Sequence, residues 1–410
     1  GRDILLDGGM GAGGIGAMAS GTLTAGHGDV AIRARGGSAI SLADITAGDD
    51  VAIRGTGQIT ASGTIATTGA AGSLGLGDRL IGGSESGAMV VLGRSFDLGG
   101  SQIDIVGGAV SLGGAASAGD VRIQGGSVAT GAANAGGDIL IDSQGSVTTG
   151  GLTAGGDVAV RSTGGSLAIG SAHAGDDAVL RGAQGVSTGA LRAGGGGEHN
   201  GAGDLLFGAD PTALGGDFDL QGGNIDVKAA GGGISIGGAD AATDVRLQTT
   251  GAAGALGAVN AGRDVVMDGA SVSAAGALSA GGDIALYGRS GGVSIASASA
   301  GDDIVVRAGG TVSASGALSA GQGADSGGAG ERLIATAGSL TLLGTGSDLN
   351  GGVIDIRAAG ITFGGALHAG GPNGSVHLQS VAGVTLGDTS VTGDVLVDAG
   401  GDVTTGALTA

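Results

Sequence analysis

The sequence predicts an all-β chain wound as a right-handed parallel β-helix of about 20 coils, roughly 19 residues to the coil. Three observations carry this. Aspartates recur at coil spacing, with Asp120, Asp138, Asp157 and Asp176 lying 18, 19 and 19 residues apart and Asp264, Asp283 and Asp302 lying 19 apart. Between them run short apolar alternations such as VVM, IAL and IVV, each followed by a Gly-rich turn. Finally, 101 of 410 residues are Gly, aromatics make up 1%, and Cys and Trp are absent, so large side chains cannot fill a globular core. A unit this short cannot bury its own apolar face and must stack on its neighbours.

Each coil opens on Gly-Asp and enters a strand. In Asp50–Gly55 the alternation points Val51 and Ile53 one way and Ala52 and Arg54 the other. Arg54, Arg181 and Arg307 are therefore expected outside, and Val51, Val179 and Ile304 inside. The register of Asp177-Ala178-Val179-Leu180 stays open, because it does not alternate cleanly. Gly and Asn at the corners are expected to supply the positive φ of tight turns. Two prolines in the whole chain suit uninterrupted ladders. A helical reading fails because Gly interrupts every candidate segment. At about 4.8 Å of rise per coil, 20 coils would make a rod on the order of 100 Å long.

A longer period is superimposed. GRDILLDG at 1–8 returns as GGDILIDS at 136–143, GRDVVMDG at 262–269 and GDVLVDAG at 393–400. The coil rhythm breaks at one phase in each repeat, at GDRLIGG (77–83), GDLLFGA (203–209) and GERLIAT (330–336), and resumes after FDLGGSQIDI, FDLQGGNIDV and SDLNGGVIDI. These mark superunits 1–135, 136–261, 262–392 and the start of a fourth at 393–410, with insertions near 66–102, 195–223 and 321–352. The expectation is one continuous β-helix, cut from a longer array.

Composition excludes some functions. With 17 basic and 37 acidic residues, the net charge of −20 repels nucleic acid and anionic membrane, and no apolar run is long enough to insert. Without cysteine there are no disulfides and no thiolate metal sites. Repeated Asp is the leading candidate for a site. The twins Asp49/Asp50, Asp176/Asp177 and Asp302/Asp303 are candidate calcium ligands, calcium being the one cofactor considered. The preferred reading makes them turn residues, accepting hydrogen bonds from their own turn and facing solvent. A glycan-processing enzyme would need convergent acids. The best clusters are Asp97 with Asp104, Asp217 with Asp219 and Asp226, and Asp348 with Asp355, and a site repeated with different basic partners argues against catalysis. The histidines, His27, His173, His199, His368 and His377, show no metal spacing. Phe96, Phe207 and Phe218 are expected to plug the enlarged coils.

The coil G-D-[VI]-x-[VIL]-x…G-x-[VIL]-x…[TS]-A-G resembles the haemagglutinin-type repeats of filamentous-haemagglutinin-like large exoproteins, which are two-partner-secretion passengers, and similar coils occur in autotransporter adhesins. The resemblance covers nearly all of the chain outside 66–102, 195–223 and 321–352. It implies a glycine-rich structural shaft at the Gram-negative cell surface or secreted from it, non-enzymatic, serving adhesion or biofilm contact. Its partners would be an outer-membrane transporter, a cell-surface receptor or glycan, and other copies of itself, end to end or side by side. A self-assembling fibre or surface lattice is the alternative.

Overall fold

The computed structural model describes residues 3–8, 18–69, 76–77, 80, 90–91, 94–95, 101–196, 201–209, 222–321, 328–337, 341–342, 345–346 and 352–410. Contacts divide the chain into two compact units, residues 1–189 with 196–210 and residues 190–195 with 211–410. Each is a stretch of parallel β-solenoid.

In the first unit, eight strands form one face: Ile4–Gly8, Val30–Ala34, Val51–Arg54, Ile103–Val106, Val121–Gly125, Ile139–Ser143, Val158–Ser162 and Ala178–Gly182. All pair in parallel with the neighbouring coil. The second unit repeats the arrangement with Ile225–Ala229, Val245–Thr249, Val265–Gly269, Ile284–Gly288, Ile304–Ala308, Ile354–Ala358, Val376–Ser380 and Val395–Ala399. Among the described residues that makes roughly sixteen coils, fewer than the twenty or so expected. The difference lies in the insertions: Val51 pairs with Ile103 and Ile304 with Ile354, so some fifty residues each time intervene without adding a rung.

The other two faces of each coil come from one bent strand, such as Ser127–Ala135, or from two short ones, such as Thr311–Ala314 and Leu318–Ala320. Their side chains alternate between buried and exposed, as in Leu167–Ala174, where Leu167, Ile169 and Ala172 are buried. Alternation puts β-branched and Leu side chains inside and small or polar ones outside.

The corner glycines owe their place to stacking more than to backbone conformation. Among the described residues positive φ occurs at six glycines only: Gly36, Gly37, Gly69, Gly222, Gly223 and Gly371. Elsewhere the reason is close approach. A Cβ on Gly155 would lie 2.1 Å from the Gly136 carbonyl oxygen one coil away, and one on Gly175 would lie 1.9 Å from that of Gly155. No side chain fits such a column.

The strand face is buried on both sides, and its outer row explains the long period. Second positions along the first unit read Ala31, Ala52, Asp104, Arg122, Leu140, Ala159 and Val179; along the second they read Asp226, Arg246, Val266, Ala285, Val305, Asp355 and His377. Runs of apolar residues alternate with an Asp followed by a base, and all of these are buried. Short helices cover the apolar runs. Helix α1 (Ala202–Ala209) lies on strands Val158–Ser162 and Ala178–Gly182, and helix α2 (Ala329–Ala337) lies on Ile284–Gly288 and Ile304–Ala308. Ala329 and Leu333 pack into Val266, Ala285 and Val305, with Tyr287 and Ile334 at the margin. Leu80, with Leu76, packs in the same way on Ala31 and Ala52.

This settles the open register and corrects one position. Ala178 and Leu180 face inward, in line with Val158 and Val160, and Val179 faces outward. Val179 nevertheless stays buried, because its strand lies under α1. Val51 and Ile304 lie in the inward rows. The three arginines do face outward, but they are buried rather than solvent-facing. Arg54 pairs with Asp104 at 2.9 Å and Arg307 with Asp355 at 2.8 Å, each reaching one coil along. Arg181 lies 5.9 Å from the ring centroid of Phe207 on α1. In the same row as these three arginines, the second Asp of the long-period motif pairs with an Arg of the next coil: Asp7 with Arg33, Asp142 with Arg161, and Asp268 with Arg289.

Candidate functional site

The residue just before most first-face strands belongs to a column of hydrogen-bond acceptors, interrupted at Val353. Asp138, Asp157 and Asp177 each donate a backbone N–H to a carboxylate oxygen one coil earlier, on Asp120, Asp138 and Asp157, at 2.9, 2.8 and 2.9 Å. In the second unit Asp264, Asp283 and Asp303 do the same to Asp244, Asp264 and Asp283 at 3.1, 2.9 and 3.0 Å. Asn224 and Ser375 take the same place with a neutral oxygen. This corrects the turn reading in two respects. The acceptor serves the next coil rather than its own turn, and most of these carboxylates are buried, because stacking closes over the corner.

The rhythm also passes through the second residue of each twin, not the first. Asp50, Asp177 and Asp303 are the column members, which leaves Asp49, Asp176 and Asp302 as an additional carboxylate beside it. Asp226 and Asp355 lie off the column too. They sit two residues later, inside a strand, in the outer charged row.

At three places the column and a twin meet an inserted segment, and at two of these the segment is the start of a helix. Asp29 with Asp49 and Asp50, Asp157 with Asp176 and Asp177, and Asp283 with Asp302 and Asp303 each bring three carboxylate oxygens within 4.8 Å of one another, and all nine residues are buried. The preceding-coil member accepts from two directions. Asp157 takes the Asp177 N–H on one oxygen and the Gly203 N–H, in the first turn of α1, at 2.8 Å on the other. Asp283 likewise takes the Asp303 N–H and, at 2.8 Å, the Gly330 N–H of α2. Asp29 accepts from Asp50 and, at 2.7 Å, from Gly77. Each inserted segment thus presents its N–H groups to a carboxylate supplied by the coils. Asp138 accepts from Ala202, and Arg332 on α2 pairs with Asp264 at 3.0 Å.

Burial, followed by neighbouring carboxylates, disturbs these acids. Burial first, then Asp138 and Asp177, pushes Asp157 up to about 8. Burial, with Asp264 and Glu331 adding to it, raises Asp283 to about 7, and burial with Asp283, Asp302 and Glu331 raises Asp303 to about 9. Asp244 behaves oppositely: burial would raise it, but hydrogen bonds from Arg263 and the charge of Arg246 hold it below the ordinary carboxylate range.

Sequence reasoning found the six twin aspartates but missed Asp29, Asp157 and Asp283. The available signal was coil spacing, which places an acid one coil before each twin. Of the acid clusters considered for glycan chemistry, Asp104, Asp226 and Asp355 lie among the described residues. Asp104 and Asp355 are fully buried and hold Arg54 and Arg307, and Asp226 is fully buried. Asp97, Asp217, Asp219 and Asp348 lie outside the described residues, as do His199, Phe96 and Phe218. His27, His173 and His368 are exposed, and His377 is buried in the outer row beside Asp355.

Fold and site together define a repetitive parallel β-solenoid, stabilised along one corner by stacked acceptors and decorated with short docked helices. No family model, no curated protein and no solved structure matches the chain.

Proposed function

We propose that the chain is the non-enzymatic shaft of a secreted or cell-surface exoprotein of the adhesin type, wound right-handed. The observation that supports this reading is the in-register stacking of near-identical coils, in which stability comes from repetition. A scaffold of this kind transmits reach without needing a reaction centre, and helices fastened to its side are suited to display variable contacts. A net charge of −20 suits an object that must stay solvated and separate from its neighbours. Electron microscopy of the purified segment, together with binding of the labelled segment to bacterial and host cells, tests it. Single slender particles that bind cells in a saturable way are the expected result. Ordered sheets or filaments without cell binding would replace the shaft with a lattice protein, and turnover of a polysaccharide panel would replace it with an enzyme.

A further inference from the structure

We propose that Asp283, Asp302 and Asp303 form a binding site for one calcium ion at the foot of α2. Their three ligand oxygens lie within 4.8 Å of one another. That is twice the roughly 2.4 Å of a calcium–oxygen bond, so a single ion can reach all three. A second observation, independent of the clustering, points the same way. Asp303 is wholly buried, and while its Oδ1 accepts the Val353 N–H at 2.7 Å, its Oδ2 has no hydrogen-bond partner. A buried carboxylate oxygen left unbonded is costly unless a cation or proton satisfies it.

Charge balance favours a cation. A helix N-terminus supplies the equivalent of only about half a positive charge. Against it stand three carboxylates and a fourth, Glu331, in the first turn of α2. Glu331 reaches the same place: a point beside Gly328 lies 2.0 Å from Asp283 Oδ2 and 3.2 Å from Glu331 Oε2. Arg332, on the same helix, is directed at Asp264. The donor set is all oxygen, which selects a hard cation, and a buried corner suits calcium better than magnesium, which keeps its waters. Bound there, the ion would tie two coils of the solenoid to the start of the docked helix.

The test is calorimetric titration of the chelator-treated 410-residue chain with calcium chloride, and with magnesium chloride in parallel. The native chain is expected to bind calcium with a Kd of about 1 mM or tighter. The double variant Asp302→Asn with Asp303→Asn is expected to bind one equivalent fewer. Its circular dichroism should be retained, because an amide side chain at position 303 still offers an oxygen to the Val353 N–H. Absence of calcium binding by the native chain, or equal stoichiometry in the variant, overturns the site. If the variant does not fold, crystals of the native chain grown with terbium chloride decide. An anomalous peak at about 2.3–2.6 Å from Asp303 Oδ2 supports the proposal, and its absence there sinks it.

Discussion

Leu333→Ala isolates how the side helices are held. Leu333 is fully buried between the α2 backbone and Val266, Ala285 and Val305 on three successive coils. Truncating a Leu in such a site costs about 2–5 kcal/mol. Helix α2 has nine residues, shorter than the roughly 12–15 that a free helix needs to persist in water, so its helicity depends on docking. The remaining anchors include the packing of Ala329 and Ile334, the Gly330 N–H to Asp283 and the Arg332 pair with Asp264. Opening of the helix should therefore become easier by about thirtyfold or more, at about 1.4 kcal/mol per decade. The coil ladders beneath form their own hydrogen bonds and should hold. Native-state hydrogen exchange resolved to 329–337 and to 284–288 reads both quantities. Faster exchange in the helix with unchanged exchange in the strand is the expected pattern. Equal loss of protection in both segments, or no change in the helix, would refute the claim that α2 is a separately docked element. Ala335→Ser, at an exposed site on the same helix, serves as the control and should shift stability by no more than about 0.5 kcal/mol.

Three further outcomes are expected. Arg307→Met should destabilise by about 3–5 kcal/mol, because it strands the buried Asp355, whereas Arg307→Met with Asp355→Leu should recover most of the loss; denaturant titration of the two would contradict the ion-pair account if the double variant were the weaker. Gly155→Ala should cost on the order of 1–3 kcal/mol, since its Cβ meets the Gly136 carbonyl, while Gly26→Ala, with open space around it, should be near neutral in the same thermal melts. Asp157, raised to about 8 when folded, keeps a proton that the unfolded chain releases near 4. Its contribution is therefore full below about pH 4 and declines by about 1.4 kcal/mol per pH unit up to about 8, so in chelator Asp157→Asn should flatten the pH dependence of stability by that slope. An unchanged slope would mean that the Asp157 carboxyl is ionised in the fold.

Much of this was legible in order along the chain. Coil length followed from the spacing of Asp, the strands from period-2 alternation, and the long period from GRDILLDG and its returns, because a solenoid writes its third dimension into sequence spacing. Val51, Ile53 and Ile304 could be assigned inward on alternation alone. Val179 could not, because its strand is buried on both faces, and alternation carries information only where one face meets water. The same ambiguity hid the role of the insertions: nothing in GERLIAT announces a helix until Ala329 and Leu333 find an apolar row to rest on.

The sequence by itself determined that this protein is a stack of parallel coils, since repeats so short and so poor in large side chains have no other way to bury their apolar residues. Only the tertiary structure decided what the aspartates do. Stacking places the column members against the backbone of the next coil, and at two of the buried triads a docked helix adds an N–H to the same corner, so which oxygens are satisfied is set by neighbours about twenty or fifty residues away.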